Sequence, residues 1–225
     1  MAAPPAIRDA ATIVLLRHDA GTPRVLMGQR GTSAAFMPDK FVFPGGAVDP
    51  EDSGLLSGSI LDTRCAERLA QRTAPDLAAA LPFAAIRELW EETGLTLGRP
   101  DPEAAGRAVP ASWRSFHDAG LTPHLAPLSF MFRAITPPGR PRRFDARFFL
   151  ADAAALPGGA DSALAGDSEL RHLQWIALGE ARALPLPFIT EVVLSEIEAL
   201  LATPGVARPV PFFDHAEDGS HFRLL

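Results

Sequence analysis

One nine-residue segment, 87–95, constrains the fold of this chain more than any other. It reads Arg-Glu-Leu-Trp-Glu-Glu-Thr-Gly-Leu. With about 100° of rotation per residue, a helix here would carry three carboxylates on one stripe and apolar side chains on the other. The carboxylates are Glu88, Glu91 and Glu92, and the apolar side chains are Ile86, Leu89 and Trp90. The pattern predicts a helix with one buried face and one acidic face.

Three clustered carboxylates have two interpretations. A run of charges is usually a solvated helix face. However, like charges three or four residues apart destabilise an isolated helix by a few tenths of a kcal/mol per pair. A hard divalent cation, which prefers oxygen ligands, would remove that repulsion. The surrounding sequence therefore has to decide between a solvated face and a cation site.

A short apolar strand, Phe41-Val42-Phe43, precedes the turn Pro44-Gly45-Gly46. Adjacent glycines allow a positive φ and a close approach of the backbone to a ligand. We predict the acidic helix over about 83–93, with Pro82 near its first turn and Gly94 as its C-terminal stop. A strand, a glycine turn and an acidic helix form the layout of a metal-phosphate site, which favours the cation interpretation.

The remaining sequence predicts alternating strands and helices. A hairpin is expected from two apolar runs, 11–17 and 24–30, and further strands from 128–135, 144–151 and 169–176. Helices are expected within 53–82, near 112–119 and over 190–202, followed by a Pro-rich, weakly structured tail from Thr203. We expect His172 to pack or form a hydrogen bond within its strand.

Composition narrows the possible classes of function. The chain has 225 residues, 47% of them apolar, and a formal net charge of −6. These values indicate one globular domain over 1–225 without the basic surface of a duplex-binding protein. A lone cysteine, Cys65, excludes a thiolate metal cluster. No segment has the length and apolarity of a membrane span, so we expect a cytoplasmic protein with neither nucleic acid nor membrane as partner.

These residues resemble the Nudix hydrolase superfamily. Segment 87–95 matches the second half of its box, Arg-Glu-apolar-x-Glu-Glu-x-Gly-apolar, and Gly46 matches the glycine that opens the box. The chain departs from the family in two ways. Asp52 stands where a glutamate is usual, and 34 residues separate it from Arg87 where the motif has seven. The box thus contains an insertion, at about 53–82, in a loop that tolerates changes in length.

An interrupted box resembles the branch related to peroxisomal and mitochondrial coenzyme A diphosphatases. Three other stretches are similar to that branch: 36–46, 135–137 and 143–149. The resemblance covers roughly 10–180 and implies an α/β fold of the α+β type, an α/β/α sandwich with a mixed β-sheet. It also implies hydrolysis of the diphosphate in a small nucleotide-type substrate, with Mg²⁺ or Mn²⁺ as cofactor.

The resemblance implies roles for individual residues. Glu88, Glu91, Glu92 and the backbone carbonyl of Gly45 would bind metal, and Arg87 would orient the box carboxylates. Glu169 is the preferred further carboxylate, as ligand or general base. Asp167 and Asp145 compete with Glu169, and Glu91 could equally be the base.

Substrate contacts are open to several interpretations. Arg143 and, less strongly, Arg30 are candidates for binding phosphates, with a solvated strand arginine as the alternative for Arg143. Phe36 and Phe41 could stack on a base, but a phenylalanine next to a strand is more often part of the core. Coenzyme A or an acyl derivative is the favoured substrate. The alternatives are an ADP-ribose or nucleotide-sugar pyrophosphatase and a non-catalytic nucleotide-sensing module. The insertion and the C-terminal helix offer surfaces for a homodimer.

Overall fold

A computed structural model of the chain describes residues 5–32, 34, 36–55, 58–161, 164, 169–215 and 219–225. The strands are β1 (Ile7–Asp19), β2 (Thr22–Arg30), β3 (Phe41–Val42), β4 (Gly45–Ala47), β5 (Gly98–Pro100), β6 (Leu121–Pro123), β7 (Ser129–Ile135), β8 (Arg143–Asp152), β9 (Leu170–Ala177), β10 (Pro211–Asp214) and β11 (His221–Leu224). The α-helices are α1 (Thr63–Ala70), α2 (Pro75–Thr93), α3 (Arg114–Asp118), α4 (Leu178–Ala181) and α5 (Phe188–Ala202).

A large mixed sheet organises the molecule around β1. Its strand order is β11-β10-β7-β8-β1-β2-β3, with β4 also paired to β1 and β9 to β2. The β1–β8 and β7–β10 pairs are parallel, and the other pairs of this sheet are antiparallel. Strands β5 and β6 form a separate two-stranded sheet. The predicted hairpin is confirmed as β1 and β2, which meet at a turn over residues 20–21.

Alternate residues of β1 belong to two hydrophobic cores, one on each face of the sheet. Ile13 and Leu15 pack with the apolar side of α2, whereas Val14 and Leu16 pack with α5 on the other face of the sheet. Successive strand residues point to opposite faces, so one strand supplies both cores. The predicted α/β/α sandwich with a mixed sheet is confirmed. No helix in the described part of the chain is both long enough and apolar enough to cross a membrane.

Helix α2 is longer than predicted. It begins at Pro75, so Pro82 lies in its interior and not in its first turn. An interior proline removes one backbone hydrogen bond and disfavours a helix. Here the apolar face continues unbroken through the proline, since Leu81, Pro82 and Phe83 are all buried. Gly94, at φ 72°, ends the helix as predicted.

Two other expectations were wrong. The tail is not weakly structured, because it contains β10 and β11. Phe212 of β10 is buried, and β10 pairs with β7, which would otherwise be an edge of the sheet. His172 is exposed and not packed within its strand. It has φ 51° where the β2–β9 register shifts, at a bulge that turns the side chain outward. Phe41 lies in the core, as expected.

Candidate active site

The glycine pair of β4 lies directly against the acidic side of α2. The Gly45 amide donates a hydrogen bond to Glu92 Oε2 at 2.8 Å. A Cβ on Gly46 would lie 2.5 Å from the Glu88 carboxylate. The absence of a side chain at Gly46 therefore makes room for the Glu88 carboxylate, and the Gly45 backbone binds the Glu92 carboxylate. The Gly45 carbonyl stays a predicted metal ligand.

Arg87 holds the carboxylates of the box together. Its Nε and Nη2 donate to the two oxygens of Asp52 at 2.9 and 3.0 Å. Its Nη1 donates to Glu88 at 2.8 Å and to Glu91 at 3.0 Å. Nη2 also donates to the Ala47 carbonyl on β4 at 3.0 Å. Arg87 thus links β4, the residues before the insertion and α2, which is the orienting role expected of it.

Asp52 is buried and fully engaged. Besides Arg87, it accepts hydrogen bonds from the Asp49 amide at 2.8 Å and from Trp113 Nε1 at 3.3 Å. The Asp52–Arg87 contact therefore joins the residues on either side of the insertion. Trp113, 1% exposed, belongs to this arrangement and was missed by sequence reasoning, because a tryptophan in a Pro- and Gly-rich stretch gives no sign of a distant partner.

The glutamate next to Asp52 makes a second link to the segment containing Trp113. Glu51 accepts hydrogen bonds from the hydroxyl and the amide of Ser112 at 2.6 and 3.0 Å. The Ser112 hydroxyl and amide lower the pKa of the Glu51 carboxyl. Two adjacent acids thus anchor the 98–127 region to the box.

Burial perturbs the helix carboxylates. Desolvation raises the pKa of Glu88 to about 7, although Arg87 opposes the shift. Burial and the neighbouring charge of Glu88 raise the pKa of Glu92 well above its usual range. Glu91, by contrast, has a side chain that is 40% exposed. The positive charge near Glu88 and Glu92 is therefore too small to offset their burial. Carboxylates on a solvated acidic helix face would not show this perturbation.

Glu169 and Arg30 complete the site from the opposite side. Arg30, the last residue of β2, donates from Nη2 to Glu169 Oε1 at 2.9 Å, just before β9 begins. The charge of Glu169 contributes to the raised pKa values of Glu88 and Glu92, and Arg30 opposes the shift at Glu92. The structure brings Glu169 near the box carboxylates, as its predicted role requires. Arg30 Nε is buried and has no hydrogen-bond partner among the described residues.

The donor set fits a hard divalent cation. Among the described side chains, no three acids, histidines or cysteines already converge on one point as metal ligands. Glu88 and Glu91 are instead held by Arg87, and Glu92 by the Gly45 amide. Even so, buried carboxylate oxygens with raised pKa values are the ligands that Mg²⁺ or Mn²⁺ would stabilise in ionised form. Glu88 and Glu92 are the residues best placed to hold such an ion.

A cavity of about 420 Å³ opens from the site over the sheet. Glu88, Glu169, Arg30 and the two glycines lie at one end. The rest of the wall is mainly apolar and aromatic, including Phe36, Phe144, Phe148, Phe188 and Phe213. A cavity with mainly apolar walls and a small number of charged groups is typical of a small-molecule site.

Arg143 and Asp145 are engaged elsewhere. Arg143 donates hydrogen bonds to the backbone carbonyls of Thr136 at 2.9 Å and His215 at 2.6 Å. It is not among the cavity-lining residues, so its role in this structure is structural. Asp145 is buried and bound at both oxygens by Arg133 at 2.9 and 2.7 Å. Asp167 lies outside the described residues.

Comparison with known proteins agrees with this geometry. A crystal structure of a Nudix hydrolase from Alicyclobacillus acidocaldarius is 28% identical, with a TM-score of 0.63 over 91% of this chain and 100% of that one. A Caenorhabditis elegans Ap4A hydrolase complex has a TM-score of 0.50 at 17% identity over 87% of this chain and 98% of that one. The NUDIX domain of Shewanella oneidensis NrtR, complexed with ADP ribose, has the same score at 14% identity, with coverages of 87% and 89%. The last two show the fold alone.

A curated relative supports the same conclusion. The putative nudix hydrolase 7 of Caenorhabditis elegans is 32% identical over 152 residues, which are 64% of this chain. The match spans 43% of that relative's own length. No family model matches the chain. The Alicyclobacillus acidocaldarius structure and this relative are both described as Nudix hydrolases, and the similarity supports that superfamily for this chain.

Proposed function

We propose that the protein hydrolyses a phosphoanhydride bond in a nucleoside-diphosphate-linked small molecule, with Mg²⁺ or Mn²⁺, and that coenzyme A or an acyl-coenzyme A is the favoured substrate. One observation carries the proposal. The carboxylates of Glu92, which is buried, and Glu88, which is 12% exposed, lie against the glycine pair of β4. Glu88 and both glycines line a cavity large enough for a nucleotide. The resemblance of the interrupted box to coenzyme A diphosphatases supports the choice of substrate.

The chemistry requires neutralisation of phosphate charge and an oriented water. A divalent ion supplies Lewis acidity and screens the phosphate oxygens when it is bound. Arg87, fixed by Asp52, keeps Glu88 and Glu91 in place without reorganisation. Arg30 is directed at the same end of the cavity and offers a cation to the phosphate chain.

The reaction balances as a simple hydrolysis. Water adds to one phosphorus of the diphosphate, and the bridging P–O bond breaks to release two phosphate monoesters. The proton lost by the water passes to a carboxylate. Glu169 is the proposed acceptor, because it lines the cavity and is 57% exposed at its side chain. Glu91 is the alternative acceptor on α2.

Related diphosphates are the alternative substrates. One solved neighbour is an Ap4A hydrolase and another is complexed with ADP ribose, so dinucleotide, ADP-ribose or nucleotide-sugar cleavage shares the proposed chemistry. A nucleotide-sensing module without catalysis is disfavoured, because all three helix glutamates and Arg87 are present.

A substrate panel tests the proposal. Coenzyme A, acetyl-coenzyme A, ADP-ribose, NADH, Ap4A and UDP-glucose are incubated with Mg²⁺ or Mn²⁺, and products are identified by mass. Release of 4′-phosphopantetheine and adenosine 3′,5′-bisphosphate from coenzyme A is the expected result. Turnover of only the other compounds would overturn the substrate, and tight nucleotide binding without turnover of any would overturn the activity.

A further inference from the structure

The end of the cavity remote from the carboxylates carries three arginines. Arg8 lies on β1, and Arg140 and Arg142 lie in the turn between β7 and β8. All three are exposed, and none forms an ion pair with another described residue. Arg143, the first residue of β8, is by contrast bound to backbone carbonyls. The site's mechanism uses none of the three.

The register of the sheet gives their separation from the reaction centre. Gly45 pairs with Thr12 on β1, and Arg8 lies four residues earlier on the same face of that strand. At about 3.3 Å per residue, the two positions are roughly 13 Å apart along β1. The arginines therefore cannot act on the same phosphates as the carboxylate end unless their side chains fold back along the cavity.

Between the two ends, the floor of the cavity is shallow and apolar. Ala10, Ala146 and Ala134 are register neighbours on β1, β8 and β7, and all three line the cavity. Larger aromatic residues stand on either side of this row, Phe148 towards Gly45 and Phe144 towards the arginines. Phe36 meets the Phe144 ring edge-on at 5.3 Å between centroids.

We propose that Arg8, Arg140 and Arg142 bind a second phosphate of the substrate, on the far side of a ring system from the diphosphate that is cleaved. This inference rests on the proposed function for the place of the diphosphate. Guanidinium groups recognise phosphate through paired hydrogen bonds, and a phosphate monoester carries up to two negative charges that three arginines offset. The substrate class is a nucleoside-linked diphosphate with an additional phosphate on its ribose.

Binding measurements test the site without requiring turnover. Adenosine 3′,5′-bisphosphate and AMP differ by one phosphate, and their affinities are compared by calorimetry for the wild type and for Arg140→Ala/Arg142→Ala. Arg64→Ala, an exposed arginine on α1 outside the cavity, is the matched control. We expect the wild type and the control to bind adenosine 3′,5′-bisphosphate at least about tenfold more tightly than AMP. In the double variant, we expect the two affinities to differ by less than about threefold.

Turnover distinguishes the two possible sources of the extra phosphate. Coenzyme A against dephospho-coenzyme A tests a 3′-phosphate, and NADPH against NADH tests a 2′-phosphate. We expect KM to rise in the double variant only for the phosphate-bearing member of the preferred pair. An equal affinity ratio in the wild type and the double variant would overturn the inference. If the wild type binds adenosine 3′,5′-bisphosphate more tightly than AMP and the double variant does not, but no diphosphate is cleaved, the proposed function alone would be overturned.

Discussion

Asp52 and Arg87 form a two-pronged ion pair across the insertion, with N–O distances of 2.9 and 3.0 Å. The Asp52 side chain is fully buried, and the Arg87 side chain is 7% exposed. Burial lowers the pKa of Arg87, but the hydrogen bonds to Asp52 and the nearby glutamates outweigh it, so the net direction is upward. The pair fixes the position of the Arg87 guanidinium, which in turn donates hydrogen bonds to Glu88 and Glu91.

Replacing Asp52 by alanine is expected to destabilise the protein by about 3–5 kcal/mol, because it leaves a buried arginine without its main partner. Urea unfolding gives the free energy. Glu198→Ala is the control, since it removes an exposed ion pair with Arg182 whose contribution is at most about 1 kcal/mol. Equal losses in the two variants would contradict a structural role for the buried pair.

The two glycines of β4 should respond differently to alanine. In Gly46→Ala, the three atoms nearest to the new Cβ all belong to the end of the Glu88 side chain, at 2.5 Å. We expect stability to change by less than about 1 kcal/mol, while metal-dependent turnover falls at least about tenfold because the carboxylate moves.

Gly45→Ala is the counterpart within the same strand. Its Cβ would meet backbone, the Ala11 oxygen at 2.6 Å and the Thr12 Cα at 2.7 Å. The strand pairing must shift, so we expect a loss of about 2 kcal/mol or more. Thermal unfolding and an activity assay on both variants separate the effects. A stable, fully active Gly45→Ala variant would contradict the packing described.

The raised pKa of Glu88 predicts a pH dependence of the metal-free protein. An acid whose pKa is about 7 when folded and near 4.5 when unfolded contributes stability below about pH 4.5, and that stability is lost as pH rises through 7. Glu88→Gln mimics the protonated acid. In EDTA, it should therefore gain on the order of 3 kcal/mol over the wild type between pH 5 and 8. A constant difference between the two proteins would contradict the burial of this carboxylate.

Arg143→Ala should affect stability and leave substrate affinity unchanged. Its guanidinium donates to two backbone carbonyls, whose loss costs on the order of 1–2 kcal/mol. We expect KM to stay within about twofold of the wild-type value. A large rise in KM at unchanged stability would restore the role in phosphate binding that the sequence suggested.

Local pattern was sufficient for much of the fold and of the box. The stripe of glutamates on α2, the β1–β2 hairpin and the buried positions of β1 follow from periodicities that neighbouring residues determine. The Asp52–Arg87 and Trp113–Asp52 contacts depend on how the insertion and the 98–127 region fold back, which no local pattern encodes. The use of Arg143 was missed for the same reason: its partner His215 lies in a segment expected to be irregular.

Strands β10 and β11 were missed for a different reason. Each has four residues, too few for an alternation to stand out among prolines. Strand β10 pairs with an edge supplied by β7, 76 or more residues earlier in the chain, and β11 pairs with β10. Short strands of this kind are determined by the partner and not by their own sequence.

Metal-dependent turnover by Glu92→Gln tests the central claim most directly. Glutamine can still accept the Gly45 hydrogen bond, so the fold should persist, whereas the charge needed to bind the cation is gone. With the best substrate of the panel and saturating Mg²⁺, we predict a loss of at least about 100-fold in kcat/KM at an unchanged Tm, and a similar loss for Glu91→Gln. Undiminished turnover in both variants would contradict the assignment of the acidic stripe on α2 as the metal site.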